Sequence, residues 1–527
     1  MFNRAKLKEI TGMIAAFAFR STHGKIVTGI SLFYTICFNY PLYHLYYKKP
    51  MEIAFGLTGV FCFIFLLFLF LSLHRKTFTV LVPVLVFISS LAAYFIYIYH
   101  IYINESVIAL VFETTAEESG GLIGIYFLLW MVFCMAVTFC AVWLFRKYQI
   151  QPDSSVKRVI TIVFILTIPL VFLLRGFLPY NVPIQFGNYI KYRIMLDHSM
   201  NNKTDISTKG FSASGQDLTV VLIIGESARA DHFHINGYAR QTSPEIEREN
   251  VDSFGIVRSC AGDTRTSIPC MMTMATEQTV NESFGQTSMI SVFRRCGFYT
   301  AWISNQGFLG RFESPVTSIA KESNYYFFSN KTGNYAGMGK IAILDDDLIP
   351  HLDKALENPV RRRFIVLHTI GSHWRYDQHY PASFKKYVPV CVAESPNYCE
   401  HSQLINSYDN SILYADHVIA SVIEHVKAKG INALVVYTSD HGEGLGEKGI
   451  YGHVQNETTP GRRVVPFFVW ASDRYIALNP DKYKNLKTSA QKKKNAINHD
   501  WLFHSVLDGS GIESKLIDKN LSIFSKQ

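Results

Sequence analysis

Five apolar stretches crowd the amino-terminal third of this 527-residue chain, and they restrict its fold more than any other feature. They run near Ile26 to Tyr46, Ile53 to Leu73, Phe78 to His100, Gly121 to Phe145 and Val159 to Leu178. A hydrocarbon core about 30 Å thick is crossed by roughly 20 apolar residues of helix, so each stretch has the length of one span. A helix packed in a water-soluble core is rarely apolar on every side for so long. The expected division is a five-helix transmembrane domain over 1–178, an interfacial or linker segment over 179–217, and a water-soluble domain over 218–527.

Lys and Arg in the short connections set the expected orientation. With the amino terminus in the cytoplasm, the inside segments hold Arg4, Lys6, Lys8, Arg20 and Lys25, then Arg75 and Lys76, then Arg146, Lys147, Lys157 and Arg158. The outside loops hold Lys48 and Lys49. Five spans then carry the rest of the chain out of the cytoplasm. A cleaved signal peptide competes for the first stretch, but its apolar run is long and no small-x-small site follows it, which favours an uncleaved anchor. Further along, Tyr189 to Met195 reads either as a helix lying on the bilayer or as an ordinary linker helix.

Cysteine placement fits this topology. Cys37, Cys62, Cys134 and Cys140 fall in the spans, where packing is the default role. Cys260 and Cys270 flank one short loop and Cys391 and Cys399 another, which outside the cytoplasm reads as two disulfides, with Cys296 left over and buried. A zinc–thiolate site is the alternative, but no spacing matches a structural finger. The net charge of +9 raises nucleic acid or an anionic membrane as a partner. A domain outside the cell membrane without a nucleic-acid motif argues against the former. Lys482, Lys484, Lys487 and Lys492 to Lys494 then form a solvated face, suited to anionic headgroups.

Beyond residue 218, strand-like runs (Val220 to Ile224, Phe298 to Ile303, Phe364 to His368, Leu434 to Thr438, Val465 to Trp470) alternate with helical patterns near Ser288 to Cys296, Asp345 to Glu357 and Gln403 to Lys429. That alternation predicts an α/β domain with a mostly parallel sheet covered by helices. Ligands of such sheets gather past the carboxyl ends of the strands. Three runs end in candidate ligands: Gly225-Glu226-Ser227, Gly371-Ser372-His373, and Ser439-Asp440-His441-Gly442-Glu443. Any one alone reads as a loop residue; three together point to a metal-assisted site.

The polar loop Cys260 to Cys270 supplies hydroxyls at Thr264, Thr266 and Ser267, and spacing does not choose among them as a nucleophile. A hydroxyl needs a base or a metal to become one. Glu226, Thr264, Asp440 and His441 together make a four-ligand N/O set that zinc accepts.

These segments resemble the bacterial phosphoethanolamine transferases, the family of lipid A modifying enzymes and mobile colistin-resistance proteins. The resemblance rests on Gly225 to His232, Asn236-Gly-Tyr238, the Cys260 to Cys270 loop, Gly371 to His373, Cys391 to Asn410, Ser439 to Glu447, and His453. It implies an alkaline phosphatase/sulfatase-like fold. It makes Thr264, four residues after Cys260 and five before Pro269, the nucleophile and, with Glu226, Asp440 and His441, a zinc ligand. It sets His373 and His453 beside the phosphate, with Glu443, Thr114 and Glu118 as substrate contacts. Leu110 stands where many members carry Asn, and the extra cysteine pair of several lipid A modifying members is missing.

The implied activity takes phosphoethanolamine from phosphatidylethanolamine, through a phospho-threonine, to lipid A or another envelope acceptor. The implied location is the bacterial inner membrane, with the catalytic domain in the periplasm. Two other readings compete. One is a phosphoglycerol transferase of the lipoteichoic acid synthase type; the other is a catalytically silent lipid or glycan receptor.

Overall fold

The computed structural model describes residues 12, 16–46, 49–99, 103–113, 124–169, 176–306, 314–329, 344–393, 395–452 and 461–526. The chain divides into two compact units, one of Met1–Phe112 and Ser119–Tyr192, the other of Glu113–Glu118 and Arg193–Gln527.

Four helical stretches in the first unit are long and apolar enough to cross a membrane: Thr22–Tyr43, Pro50–Leu71, Arg75–Ile98 and Ile125–Tyr148. Of the fifth expected span, the α-helix Ser154–Thr167 is described and residues 170–175 lie outside the described residues. Large side chains such as Phe55, Val132 and Leu166 are 85%, 67% and 71% exposed, as lipid-facing groups are and aqueous ones are not. Several polar groups inside the bundle are paired with one another, as suits a medium with no water to satisfy them. His23 Nε2 lies 3.0 Å from Ser72 Oγ, Trp130 donates to Ser90 O, and Asn39 both donates to and accepts from the backbone of Leu178. Tyr189 to Met195 falls within one continuous helix, Asn181–Asn201.

The second unit is built on a seven-stranded sheet. In chain order its strands are β1 (Leu218–Gly225), β2 (Asp252–Ser253), β3 (Tyr299–Ser304), β4 (Tyr325–Phe328), β5 (Arg362–His368), β6 (Ala433–Ser439) and β7 (Phe467–Ala471). Their spatial order is β2-β7-β6-β1-β5-β3-β4. The five from β6 to β4 are parallel, and β7 and β2 add an antiparallel edge. Every residue of β1 and β6 is buried, which is why both read as unbroken apolar runs. Alternate side chains enter two cores: Val220, Leu222 and Ile224 pack on one face, Val221 and Ile223 on the other. Each such fully buried side chain contributes about 1.5–3 kcal/mol.

Local departures from the expected elements have physical causes. The run Val465 to Trp470 is two strands, because Pro466 has no N–H for the ladder: Val464–Val465 pairs with Val257–Arg258, and β7 pairs with β6. Asp345 to Glu357 opens as a 3-10 turn before the helix Ile349–Leu356. Short strands β2 and β4 carried no alternating pattern long enough to read. Ser212–Ala213, in the polar segment before β1, pairs with Ile512–Glu513. Cys260 is bonded to Cys270 and Cys391 to Cys399. Cys296, expected to be buried, is only half-buried, since it caps the helix Met289–Arg295 at the rim of the core.

Candidate active site and metal centre

Register brings the reactive groups together. Gly225 of β1 lies opposite Ser439 of β6, and Ile224 opposite His368 of β5, so the three strands end at one level. The next residues on two of them are Glu226 and Asp440, tied through Asp440 N–H donating to Gly225 O. On β5 the continuation is folded back: Ser372 N–H donates to Glu226 O, and the buried Asp345 carboxylate accepts from Ile370 and Gly371 N–H. Gly371 is required there, with φ of +51° and an added Cβ that would lie 2.7 Å from Glu226 O.

Ligand atoms of Glu226, Asp440 and His441 lie within 4.8 Å of one another, the one such metal-holding group found among the described residues. All three residues are essentially inaccessible. His441 Nδ1–H donates to Gly442 O at 2.8 Å, which turns Nε2 toward Glu226 Oε1 at 3.3 Å and Asp440 Oδ2 at 3.5 Å. Asp440 Oδ1 accepts from the Ser227 and His441 N–H groups, while its Oδ2 is buried with no hydrogen bond. Burial first, then the Glu226 carboxylate, push the Asp440 carboxyl well above the ordinary carboxylate range. Burial alone would lower His441, but the two carboxylates outweigh it and raise the imidazolium to about 10. Two buried acids, one imidazole and an orphaned carboxylate oxygen form a donor set that fits a divalent cation such as zinc.

The hydroxyls of the disulfide loop separate here. Thr264 Oγ1 is 3.0 Å from Glu226 Oε2 and 3.2 Å from His441 Nε2. Ser267 is fully buried and its hydroxyl donates to Asp440 O, while Thr266 meets Asp263 through its backbone N–H. Thr264 opens the helix Thr264–Met272, whose N-cap is Asp263, so the positive end of that helix faces whatever Thr264 carries. The loop is braced from outside: Arg462 donates to Gly262 O, Arg463 to Ser259 O and Cys260 O, and Cys260 N–H donates to His499 Nδ1. Burial lowers His499 to about 3, so it stays a neutral acceptor.

Among the other expected site residues, His373 is half-buried one position past Ser372 and donates from Nδ1 to Trp374 O. Glu443 is fully buried; its backbone O accepts from Arg229, and its charge raises the Tyr376 and Tyr408 phenols, after burial itself. Thr114, Glu118 and His453 lie outside the described residues. Two contributors escaped the sequence reading. Ser227, at φ +56°, donates its hydroxyl to Glu226 Oε1, and Gln306 Nε2 donates to Glu226 Oε2 and Thr369 O, each at 3.0 Å. Gln306 follows the end of β3, so the rule that found the other three segments also points to it.

With this geometry in hand, residues 218–512 match the sulfatase family and residues 60–195 match the family described as phosphoethanolamine transferase EptA/EptB. The chain belongs to the phosphoethanolamine transferase family. The transferase is 29% identical over 474 residues, 80% of this chain and 79% of the relative, to the Kdo(2)-lipid A phosphoethanolamine 7''-transferase of Escherichia coli K12. The integral membrane lipooligosaccharide phosphoethanolamine transferase A of Neisseria meningitidis shares the fold, with a TM-score of 0.75 at 24% identity, covering 95% of this chain and 98% of that one. The periplasmic domain of Escherichia coli EptC, solved in complex with zinc, matches 60% of this chain and 89% of its own at 25% identity and a TM-score of 0.53.

Proposed function

We propose that the transferase moves phosphoethanolamine from phosphatidylethanolamine to lipid A, through a covalent phospho-Thr264, with zinc held by Glu226, Asp440, His441 and the Thr264 oxygen. The observation that carries this reading is the pair of contacts from Thr264 Oγ1 to Glu226 and His441, which put the Thr264 hydroxyl against both a carboxylate and the imidazole of the one cluster of its kind among the described residues. The named activity of the Kdo(2)-lipid A relative and the zinc-bound EptC domain support the substrate and the metal. Orientation by the positive-inside rule sets the catalytic domain, residues 218–527, on the periplasmic side of the inner membrane, with 1–178 as its anchor and 179–217 between them.

In the first half-reaction Thr264 Oγ1 forms a bond to the donor phosphorus while the bond from phosphorus to the diacylglycerol oxygen breaks. The hydroxyl proton has Glu226 Oε2 as its acceptor at 3.0 Å, and the departing diacylglycerol oxygen takes a proton from His373 or His453. Zinc bound at the triad supplies a lowered hydroxyl pKa and neutralises charge on the phosphoryl oxygens. The amino end of the helix Thr264–Met272 favours the anionic phospho-threonine. In the second half-reaction an oxygen of a lipid A phosphate attacks the same phosphorus, and Thr264 Oγ1 leaves and regains a proton. Splitting the transfer lets one bulky lipid depart before the other enters. Thr114, Glu118 and Glu443 complete the substrate contacts in this reading.

The test is mass spectrometry of envelope glycolipids from cells with the intact gene and with Thr264→Ala. Lipid A carrying one added phosphoethanolamine in the first and none in the second is the expected result. Added phosphoglycerol would point to the lipoteichoic acid synthase type, and no added group to a silent receptor.

A further inference from the structure

Glu226 Oε2 accepts two hydrogen bonds at 3.0 Å, one from the Thr264 hydroxyl and one from the Gln306 side-chain amide. The two donors have different fates, if Thr264 is the group that becomes esterified. A phospho-threonine has no hydroxyl proton, so in the covalent intermediate the Thr264 donor is gone. Gln306 keeps its amide at every stage.

The amide is also well held. Gln306 Nε2 bridges Glu226 Oε2 to Thr369 O at 3.0 Å, and the Gln306 backbone N–H donates to Ser304 Oγ at the end of β3. Ser304 Oγ in turn contacts His368 Nδ1 at 3.1 Å, inside the sheet. Burial lowers His368 to about 4, so that neighbour is neutral and brings no competing positive charge. On its other oxygen, Glu226 Oε1 accepts from Ser227 Oγ at 2.8 Å. A carboxylate held by one donor on each oxygen has a defined plane, and loss of either donor frees it to rotate away from the ligand position.

We infer that Gln306 is a positioning residue that fixes the Glu226 carboxyl group toward the metal throughout the cycle and remains as the side-chain donor to Oε2 once Thr264 is esterified. This rests on the phospho-Thr264 reading for its second clause and on geometry alone for its first. The amide adds no charge to a site that already has two acids. It lies two residues past the end of β3, a further strand of the sheet, so it ties the site to an element that holds none of the triad.

The experiment uses the full-length, detergent-solubilised protein and Gln306→Met, which keeps the side-chain length but removes the amide. Zinc affinity is measured on metal-free protein by competition with a chromophoric chelator, without any substrate. Outer-sphere partners of metal ligands are worth about 10–100-fold in affinity, and a loss in that range is expected. At saturating zinc, diacylglycerol release from phosphatidylethanolamine alone reports the first half-reaction, and discharge of the isolated phosphoenzyme to acceptor reports the second. Gln306→Met is expected to slow discharge more than formation, because only in the intermediate is Gln306 the remaining one of the two donors to Oε2. Gln306→Asn, one methylene short, serves as the second variant if the Met protein fails to melt cooperatively, and the same ordering is expected. Zinc affinity within twofold of wild type would overturn the positioning role. Equal slowing of both half-reactions would overturn the greater reliance on Gln306 in the intermediate. Wild-type protein that releases diacylglycerol without labelling Thr264 would instead sink the phospho-threonine reading, leaving the zinc measurement to decide the first clause.

Discussion

Two clusters of buried charge in the catalytic domain contain a carboxylate and a histidine, and they are balanced in opposite ways. Asp409, fully buried on the helix His401–Ala428, accepts from His232 Nδ1 at 2.7 Å, Tyr238 OH at 2.9 Å and Arg240 Nη1 at 2.8 Å. Arg240 is anchored further by Asn406 and lies over the Tyr387 ring. One acid thus meets three donors, one of them a permanent cation. At the strand ends, two acids share one imidazole, and Asp440 Oδ2 has no hydrogen bond. A buried carboxylate is tolerated when its oxygens are matched by donors and costs several kcal/mol when they are not. The first cluster is electrostatically complete and holds segments together. The second sets two acids against one imidazole and leaves a carboxylate oxygen without a hydrogen bond, and the Thr264 hydroxyl lies against it.

The largest expected effect is on chemistry alone. Thr264→Ala should cut transfer by a factor on the order of 10⁴ or more, since loss of a covalent nucleophile leaves only binding and electrostatic catalysis. Zinc content of that variant should stay near the wild-type value, because the triad remains; a metal-free Thr264→Ala protein would mean that the hydroxyl holds the site together. Asp440→Ala or His441→Ala comes next. Each should lose bound zinc on elemental analysis and lower activity by at least about 10³-fold, as charge stabilisation goes with the ligand. Full occupancy in both variants would erase the distinction between the clusters.

Asp409→Ala should show the opposite pattern. Leaving Arg240 and His232 without their acid should destabilise the domain by about 3–5 kcal/mol in denaturant unfolding, with zinc stoichiometry unchanged in the folded fraction. Zinc loss from a natively folded Asp409→Ala protein would make this cluster part of the site. Tyr238→Phe is the mildest test. It removes one hydrogen bond to a charged acceptor and should cost roughly 1.5–3 kcal/mol, less than Asp409→Ala, with transfer per folded molecule close to wild type.

Much of this is legible in the amino-acid sequence. The apolar spans, the unbroken runs of β1 and β6, and the acids that follow them follow from local composition, because a strand buried on both faces must be apolar along its length. The loop cysteines paired as their short spacings indicated. The two carboxylate-bearing clusters could not be told apart at that level. Asp409 and Asp440 both stand in motifs of the family, and only their surroundings show that one is saturated with donors and the other is not.

What the sequence determined by itself is the set of chain positions where chemistry could occur: residues just past strands, and hydroxyls in a loop closed by a disulfide. What only the tertiary structure decided is which atoms meet. Residues three apart share one face of a helix, so Thr264 and Ser267 both point at the strand ends, and only the packing there decides that Thr264 meets Glu226 and His441 while Ser267 bonds Asp440 O. Gln306 joined the site because β3 lies in register with β5, Ser304 opposite His368, which brings its amide to Glu226. These parallel strands are joined by long crossovers rather than tight turns, so no single run of residues states which position will lie opposite which.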